Sequence, residues 1–452
     1  MRGVVEMFDI ARKQYIVRRS GDRVINFFYK ENSGICLSVL DKNNLWQAPL
    51  TVIKDVMPDY SICLDGKDRI HILCQNREGG IVHMVSGDNN WNTGQILKSK
   101  NPAVYNKHLS ILCTENTAYF FYTLRYSGKT LLSFQTQTSS GSPTDPMVID
   151  YITEGTVPFR ALDDSEGNIY LFYCSAGRKK PVIGFKVYNA AENTWGEFIP
   201  LTVPEQDSTL LSVVKGTNGV FNILRRRASS GKYELVFSKL DMAEGSVHNE
   251  TAVVTSPNPQ PFSSLVVSTE RTVLYWIRDD IIMYRTSEDG VTWSKPEKVD
   301  VFGNRPFYCF TYLTNLSGEL KGMSFNELPG NFTGGYRLAF LGDIIGMEKS
   351  GQNDGGRMAS ELEMLDKRVS DLERRLEELE QKQRQKKNRP VKSDTAVMNT
   401  TVENTEQDQP KTEFMECETE TTSDNRPLMP GTGFSAITPE YLRSLKKLES
   451  RE

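Results

Sequence analysis

Ser287-Glu-Asp-Gly-Val-Thr-Trp293 decides how this chain is read, because three other tryptophans close turns of similar build. They are Asp41-Lys-Asn-Asn-Leu-Trp46, Gly87-Asp-Asn-Asn-Trp91 and Asn189-Ala-Ala-Glu-Asn-Thr-Trp195. Each polar turn precedes a short apolar run. The tryptophans are separated by 45, 104 and 98 residues, so the two long gaps are each about twice a pitch of about 50. The units lacking a Trp show at Ser140-Gly-Ser-Pro-Thr-Asp-Pro146 before Met147, and at Met242-Ala-Glu-Gly-Ser246 before Ala252-Val-Val.

Within one pitch the order repeats. In the second unit, Tyr60-Ser-Ile-Cys-Leu64, Arg69-Ile-His-Ile-Leu-Cys74, Ile81-Val-His-Met-Val85 and Trp91 to Leu97 give four short apolar runs broken by turns. That is one four-stranded blade per pitch. Inner strands fall near Tyr15, Tyr60, His108, Phe159, Thr209, Phe262 and Phe307. The expected fold class is therefore all-β, a β-propeller of about seven four-stranded blades over residues 1–345, with six blades as the alternative. Val4 to Phe8 is expected to lend the last blade its fourth strand and close the ring.

The Ser287, Asp289, Gly290, Trp293 turn resembles the Asp-box, or BNR repeat, of sialidase-like propellers. Asp289 and Ser287 are expected to bind turn amides, Gly290 to take a positive φ and Trp293 to pack beneath the next blade. The resemblance covers residues 1–345 as architecture and one hairpin as motif. It implies a structural turn on the face away from any active site. A sialidase-like hydrolase would need an arginine triad, a Tyr–Glu pair and an early Phe-Arg-Ile-Pro. The nearest string here, Val157-Pro-Phe-Arg160-Ala-Leu, lacks the second Pro. A glycoside hydrolase is thus the alternative reading rather than the first one.

The chain of 452 residues carries a net charge of −4, so any electrostatic partner must be sought in local distribution. Loops joining second to third strands carry Arg77, Arg125, Arg178, Lys179, Lys180, Arg225, Arg226, Arg227 and Arg278. The starts of the inner strands add Lys107, Arg160 and Arg305. The opposite turns are rich in Asp and Glu, among them Asp65, Asp164 and Asp289. A basic face flanked by Tyr29, Tyr126 and Phe332 suggests an anionic ligand such as an acidic glycan. A protein-binding scaffold or coat component is the third reading.

Cys36, Cys63, Cys74, Cys113, Cys174 and Cys309 sit in apolar runs and are expected to pack as free thiols. No Cys/His spacing suits a metal and no cofactor is expected. With no leader and no apolar run of about 18 residues, the expected location is cytoplasmic, without a membrane span.

Beyond a Gly-rich linker at 346–357, residues 358–385 read as a coiled coil, with Leu362, Val369 and Leu376 at a and Met358, Leu365, Leu372 and Leu379 at d. Arg368 and Arg375 at g face Glu373 and Glu380 at e, which predicts a parallel homo-oligomer, trimer or dimer. Residues 386–436 read as a disordered acidic tail and 437–452 as a short amphipathic helix. The first functional reading is a multivalent binding protein whose coiled coil clusters several propellers.

Overall fold

The computed structural model describes residues 13–341 except 88–89, 99–104, 140, 156, 165–166, 177–179, 204–206, 217–218, 243, 300–306, 321 and 333–334. The expected closing strand Val4 to Phe8, the linker, the coiled coil, the tail and the C-terminal helix lie outside the described residues. Every regular element among the described residues is a strand, and no helix there is long and apolar enough to cross a membrane.

Six consecutive antiparallel meanders follow the expected pitch. The first holds β1 (Gln14–Arg18), β2 (Val24–Lys30), β3 (Gly34–Val39) and β4 (Leu50–Ile53). The second holds β5 (Val56–Leu64), β6 (Ile70–Asn76), β7 (Ile81–Ser86) and β8 (Trp91–Leu97). The third runs through β9 (Ser110–Cys113), β10 (Thr117–Tyr126), β11 (Lys129–Thr138) and β12 (Met147–Ile152). The fourth has β13 (Phe159–Asp163), β14 (Ile169–Ser175), β15 (Val182–Asn189) and a last strand broken into β16 (Thr194–Trp195) and β17 (Ile199–Pro200). The fifth has β18 (Ser208–Lys215), β19 (Val220–Ser229), β20 (Lys232–Asp241) and β21 (Ser246–Ser256). The sixth has β22 (Phe262–Ser268), β23 (Thr272–Arg278), β24 (Ile281–Ser287) and β25 (Glu297–Lys298).

The repeat is visible in the core. Phe27, Leu73, Phe121, Phe172, Leu224 and Tyr275 occupy matching second-strand positions, and each is 0% exposed. The side-chain period of two sends alternate residues of each strand to opposite faces, so both faces of the meanders are apolar where neighbouring units meet.

A terminal segment, β26 (Tyr308–Thr314), β27 (Met323–Phe325), β28 (Leu328–Asn331) and β29 (Arg337–Leu338), forms no sheet of its own. Instead, β26 runs parallel to β1, with Gln14 opposite Phe310 and Arg18 opposite Thr314. In the other direction β27 pairs antiparallel with β22. The segment therefore joins the sixth meander to the first. A buried ion pair reinforces the seam: Arg18 meets Glu319, whose carboxylate also accepts from Tyr312 Oη at 2.9 Å and Thr314 Oγ1 at 2.6 Å.

The tryptophan turns explain how units interlock. Asp289 Oδ1 accepts the amides of Val291 at 2.7 Å and Thr292 at 2.8 Å, and Ser287 Oγ accepts that of Gly290 at 2.8 Å. Gly290 has φ +84°, and a Cβ there would lie 2.8 Å from Phe237, so glycine is required. Trp293 stacks edge-on against Phe237 at 5.2 Å, which places it on the preceding meander and not on the following one as the sequence suggested. Trp91 likewise meets Phe27, and Trp195 meets Phe134. Trp46 of the first meander packs on Phe332 and Tyr336 of the terminal segment, which thus stands where a preceding unit would.

One further expectation is corrected. Cys63 and Cys113 are joined in a disulfide between the second and third meanders, with Cα atoms 6.3 Å apart, whereas Cys36, Cys74, Cys174 and Cys309 are free. The two cysteines lie at or next to the ends of equivalent strands of adjacent units, a relation that spacing along the chain does not reveal.

Candidate functional site

Gln14 and Asn26 are the polar exceptions in two otherwise apolar strands. Antiparallel pairing sets Gln14 opposite Phe28 and Ile16 opposite Asn26, so Gln14, Asn26 and Phe28 share one face of the sheet. Tyr308 and Phe332 reach the same place from the terminal segment. Together with Tyr29 they line a cavity of about 230 Å³ that exists only because the two ends of the described chain meet here.

Gln14 is 7% exposed and Asn26 is 5% exposed, yet Gln14 Oε1 and Asn26 Oδ1 have no hydrogen-bond partner. A buried acceptor left unpaired costs about 1–3 kcal/mol, so two at one cavity demand an explanation. The walls are aromatic. Phe332 sits edge-on to Phe310 at 4.9 Å and lies 5.9 Å from Tyr308. Trp46 supports Phe332 from behind, its Nε1 donating to Gly335 O at 2.9 Å. Among the described residues, the six that line the cavity include no charged side chain. Amide side chains with unpaired acceptors, among the aromatic residues that line the cavity, suit a ligand with hydroxyl groups on an apolar ring.

A second polar network ties the first strands of the meanders together. Lys13 Nζ donates to Asp59 Oδ1 at 2.6 Å, and Asp59 Oδ2 accepts the Leu109 amide at 3.0 Å. Arg160 grips Glu327 through two hydrogen bonds of 2.8 and 3.1 Å. Tyr275 Oη donates to Glu327 O at 2.6 Å, and Asn326 Nδ2 donates to Val213 O at 3.0 Å. Burial pushes the Tyr60 and Tyr275 phenols well above their ordinary range, so both remain neutral donors. The contacts of Arg160, Tyr275 and Val213 hold the β27–β28 turn, from which β28 runs beside Tyr308 toward Phe332.

The cations expected to form a basic face are dispersed among partners. Arg125 pairs with Glu154 at 3.1 Å, Arg160 with Glu327, and Arg278 with Asp279 at 3.4 Å. Arg225 and Arg227 both meet Glu250, and Arg227 also meets Glu234 at 2.7 Å. Arg226 lies over Tyr233 at 5.9 Å, and Lys107, 2% exposed, sits over Tyr105 at 3.8 Å. Arg77 and Lys180 are exposed, while Arg178, Lys179 and Arg305 lie outside the described residues. The acidic turns have a local role too: Asp65 Oδ1 accepts the amides of Lys67 and Arg69, and Asp164 Oδ1 that of Asn168.

Tyr29 and Phe332 were legible as stacking residues, but Gln14, Asn26, Phe28 and Tyr308 were not. The signal that could have found them is an amide at an inward position of an apolar strand, as in Val24-Ile-Asn-Phe-Phe-Tyr29.

No known protein family matches the chain, and no curated protein matches it. Among solved structures it is similar to the BP39L lectin from Burkholderia pseudomallei, at 12% identity over 61% of this chain and 81% of that one, with a TM-score of 0.48. An ulvan-degrading polysaccharide lyase bound to -[GlcA(1-4)Rha3S]- is similar at 12% identity over 70% of this chain and 89% of that one, with a TM-score of 0.47. A lectin of Aleuria aurantia in complex with Fucα1-6GlcNAc is similar at 15% identity over 74% and 96%, with a TM-score of 0.36.

Proposed function

We propose that this protein is a propeller-type glycan-binding protein that takes a sugar into the cavity walled by Tyr29, Tyr308 and Phe332. The observation that carries the reading is the pair of buried, unpartnered acceptors, Gln14 Oε1 and Asn26 Oδ1, at an aromatic-walled cavity. A pyranose places its C–H face on an aromatic ring and directs hydroxyl donors outward from its rim. Two such hydroxyls would satisfy both acceptors at once and remove the desolvation cost that the unliganded protein carries.

Because Arg125, Arg160, Arg225, Arg227 and Arg278 already face carboxylates, recognition here rests on hydrogen bonds and stacking rather than on net positive charge. An acidic glycan remains within this reading as a sugar whose ring is held in the same way. If residues 358–385 associate as their heptads suggest, several cavities act together and weak single contacts gain avidity.

Screening the full-length chain on a glycan array, beside Asn26→Leu, tests the proposal. Binding to a defined set of sugars that disappears in Asn26→Leu supports it. Absence of sugar binding, or an unchanged profile in the variant, overturns it.

A further inference from the structure

Two of the four histidines in the chain meet inside the protein, far along the sequence from the aromatic cavity. His71 on β6 and His83 on β7 stack at 5.2 Å, 6% and 5% exposed, with His71 Nδ1 at 3.0 Å from His83 Nε2. At one end His71 Nε2 lies 3.2 Å from Asp65 Oδ2, and at the other His83 Nδ1 lies 3.1 Å from Gln137 Oε1. Gln137 Nε2 donates to Gly141 O at 3.1 Å, which keeps the amide oxygen turned toward His83.

Two neutral imidazoles carry two N–H protons, but this row has three contacts and an acceptor at each end. All three become hydrogen bonds only when the pair carries a third proton, taken from solvent. The pair borders a cavity of about 270 Å³ between the second and third meanders. Arg69 stands on its wall with Thr93, Asn116 and Thr138, and among the described residues no carboxylate lines it. Asp65, behind the histidines, is 1% exposed and fully used by Lys67 N, Arg69 N, Arg69 Nε and His71. The cavity therefore offers the remaining donors of the Arg69 guanidinium, hydroxyls and amides, beside an imidazole pair whose own nitrogens are engaged in the row.

We infer that this cavity is a second ligand site, for a small oxyanion of the sulfate or phosphate type, with the His71–His83 pair supplying part of its positive charge by taking up a proton. Among the described residues, the other charged groups facing the pair are Asp65 and Arg69 on the β5–β6 turn. Glu115 on the β9–β10 turn touches Arg69 through its backbone oxygen, which accepts from Nη2 at 3.4 Å. Strands β8 and β11 present no charged side chain to the cavity. Burial acts first to hold both imidazoles below their ordinary range, with Asp65 opposing this at His71 and the neighbouring imidazole adding to it at His83. The free pair is thus neutral near neutrality, and an oxyanion and a proton bind cooperatively.

Calorimetric titration of sodium sulfate into the full-length chain, repeated at falling pH, tests this. With one linked proton, affinity rises by up to about tenfold for each pH unit of acidification. In parallel, sulfate moves the imidazole NMR titration of the pair to higher pH. His83→Gln keeps a hydrogen-bonding side chain but removes the proton site, and should abolish the pH dependence. Thr93→Val, which leaves the row of contacts intact, should weaken sulfate several-fold without altering it. No saturable sulfate binding, a pH-independent affinity, or unchanged binding in Thr93→Val overturns the inference. A neutral sugar serves as the probe for the aromatic cavity, so failure at one site is not failure at the other.

Discussion

Replacing Gln14 with Met should make this protein more stable while removing its sugar binding. Gln14 is 7% exposed in β1, flanked by Phe28 and Phe310, and its Oε1 has no partner. Leaving such an acceptor buried costs about 1–3 kcal/mol. Met matches Gln in length, is unbranched and fills irregular apolar space, so no cavity is opened. Allowing for whatever the amide N–H₂ group contributes, the net gain is about 1–2 kcal/mol. Urea unfolding followed by tryptophan fluorescence would show a higher midpoint with an unchanged slope, since the surface exposed on unfolding stays the same. The double variant Gln14→Met with Asn26→Leu should gain less than the sum of the singles, because both groups face one cavity. A loss of more than about 1 kcal/mol in Gln14→Met would show that its carbonyl is satisfied in the native state, and the argument for a reserved acceptor would fall.

Three further outcomes follow from the geometry. Arg18→Met, which strands the 2%-exposed Glu319 at the seam between β1 and the terminal segment, should cost about 3–5 kcal/mol in urea unfolding; a cost below about 1 kcal/mol would mean that the pair behaves as an exposed one. Thiol titration of the denatured, unreduced protein should leave Cys63 and Cys113 unlabelled, and reducing their 50-residue loop should cost about 4 kcal/mol by chain entropy; labelling of both would remove the bond. Burial and the nearby His71 push His83 down to about 4, so the folded state resists a proton that the unfolded state accepts near 6.5. Its contribution is therefore complete above pH about 6.5, falls as pH drops toward about 4, and amounts to about 3 kcal/mol; unfolding curves without oxyanion that stay level across that window would contradict it.

The repeat was open to reading because each turn must be built from local sequence. Asp289, Gly290 and Trp293 carry their hydrogen bonds and positive φ within seven residues, and the same economy marks the turns at Asp41 and Asn189. Packing partners were harder, since the direction in which Trp293 leans depends on the handedness of the whole arrangement, and it meets Phe237 of the preceding unit. The alternation of basic and acidic loops was equally visible, but the local partners of its members were not. Asp65 and Asp164 accept turn amides, while Arg160 and Arg225 find Glu327 and Glu250 at positions that sequence separation conceals. The cavity itself is made by β1 pairing with β26 almost 300 residues later, so Tyr29 and Phe332 could be read beforehand only as separate stacking residues, and the one further signal, Gln14 and Asn26 in apolar strands, had no visible partner.

The most direct test of a sugar site built on stacking and unpaired acceptors is calorimetric titration of the best array sugar into the full-length chain and into Tyr308→Ala, at low and high salt. The account predicts that raising salt from about 0.05 M to about 0.5 M leaves the affinity for a neutral sugar unchanged, because no screened charge pair is involved. It also predicts that Tyr308→Ala weakens that affinity by about tenfold, the worth of one aromatic face of about 1.4 kcal/mol. An affinity that falls steeply with salt and ignores Tyr308 would contradict it and return recognition to the exposed cations Arg77 and Lys180.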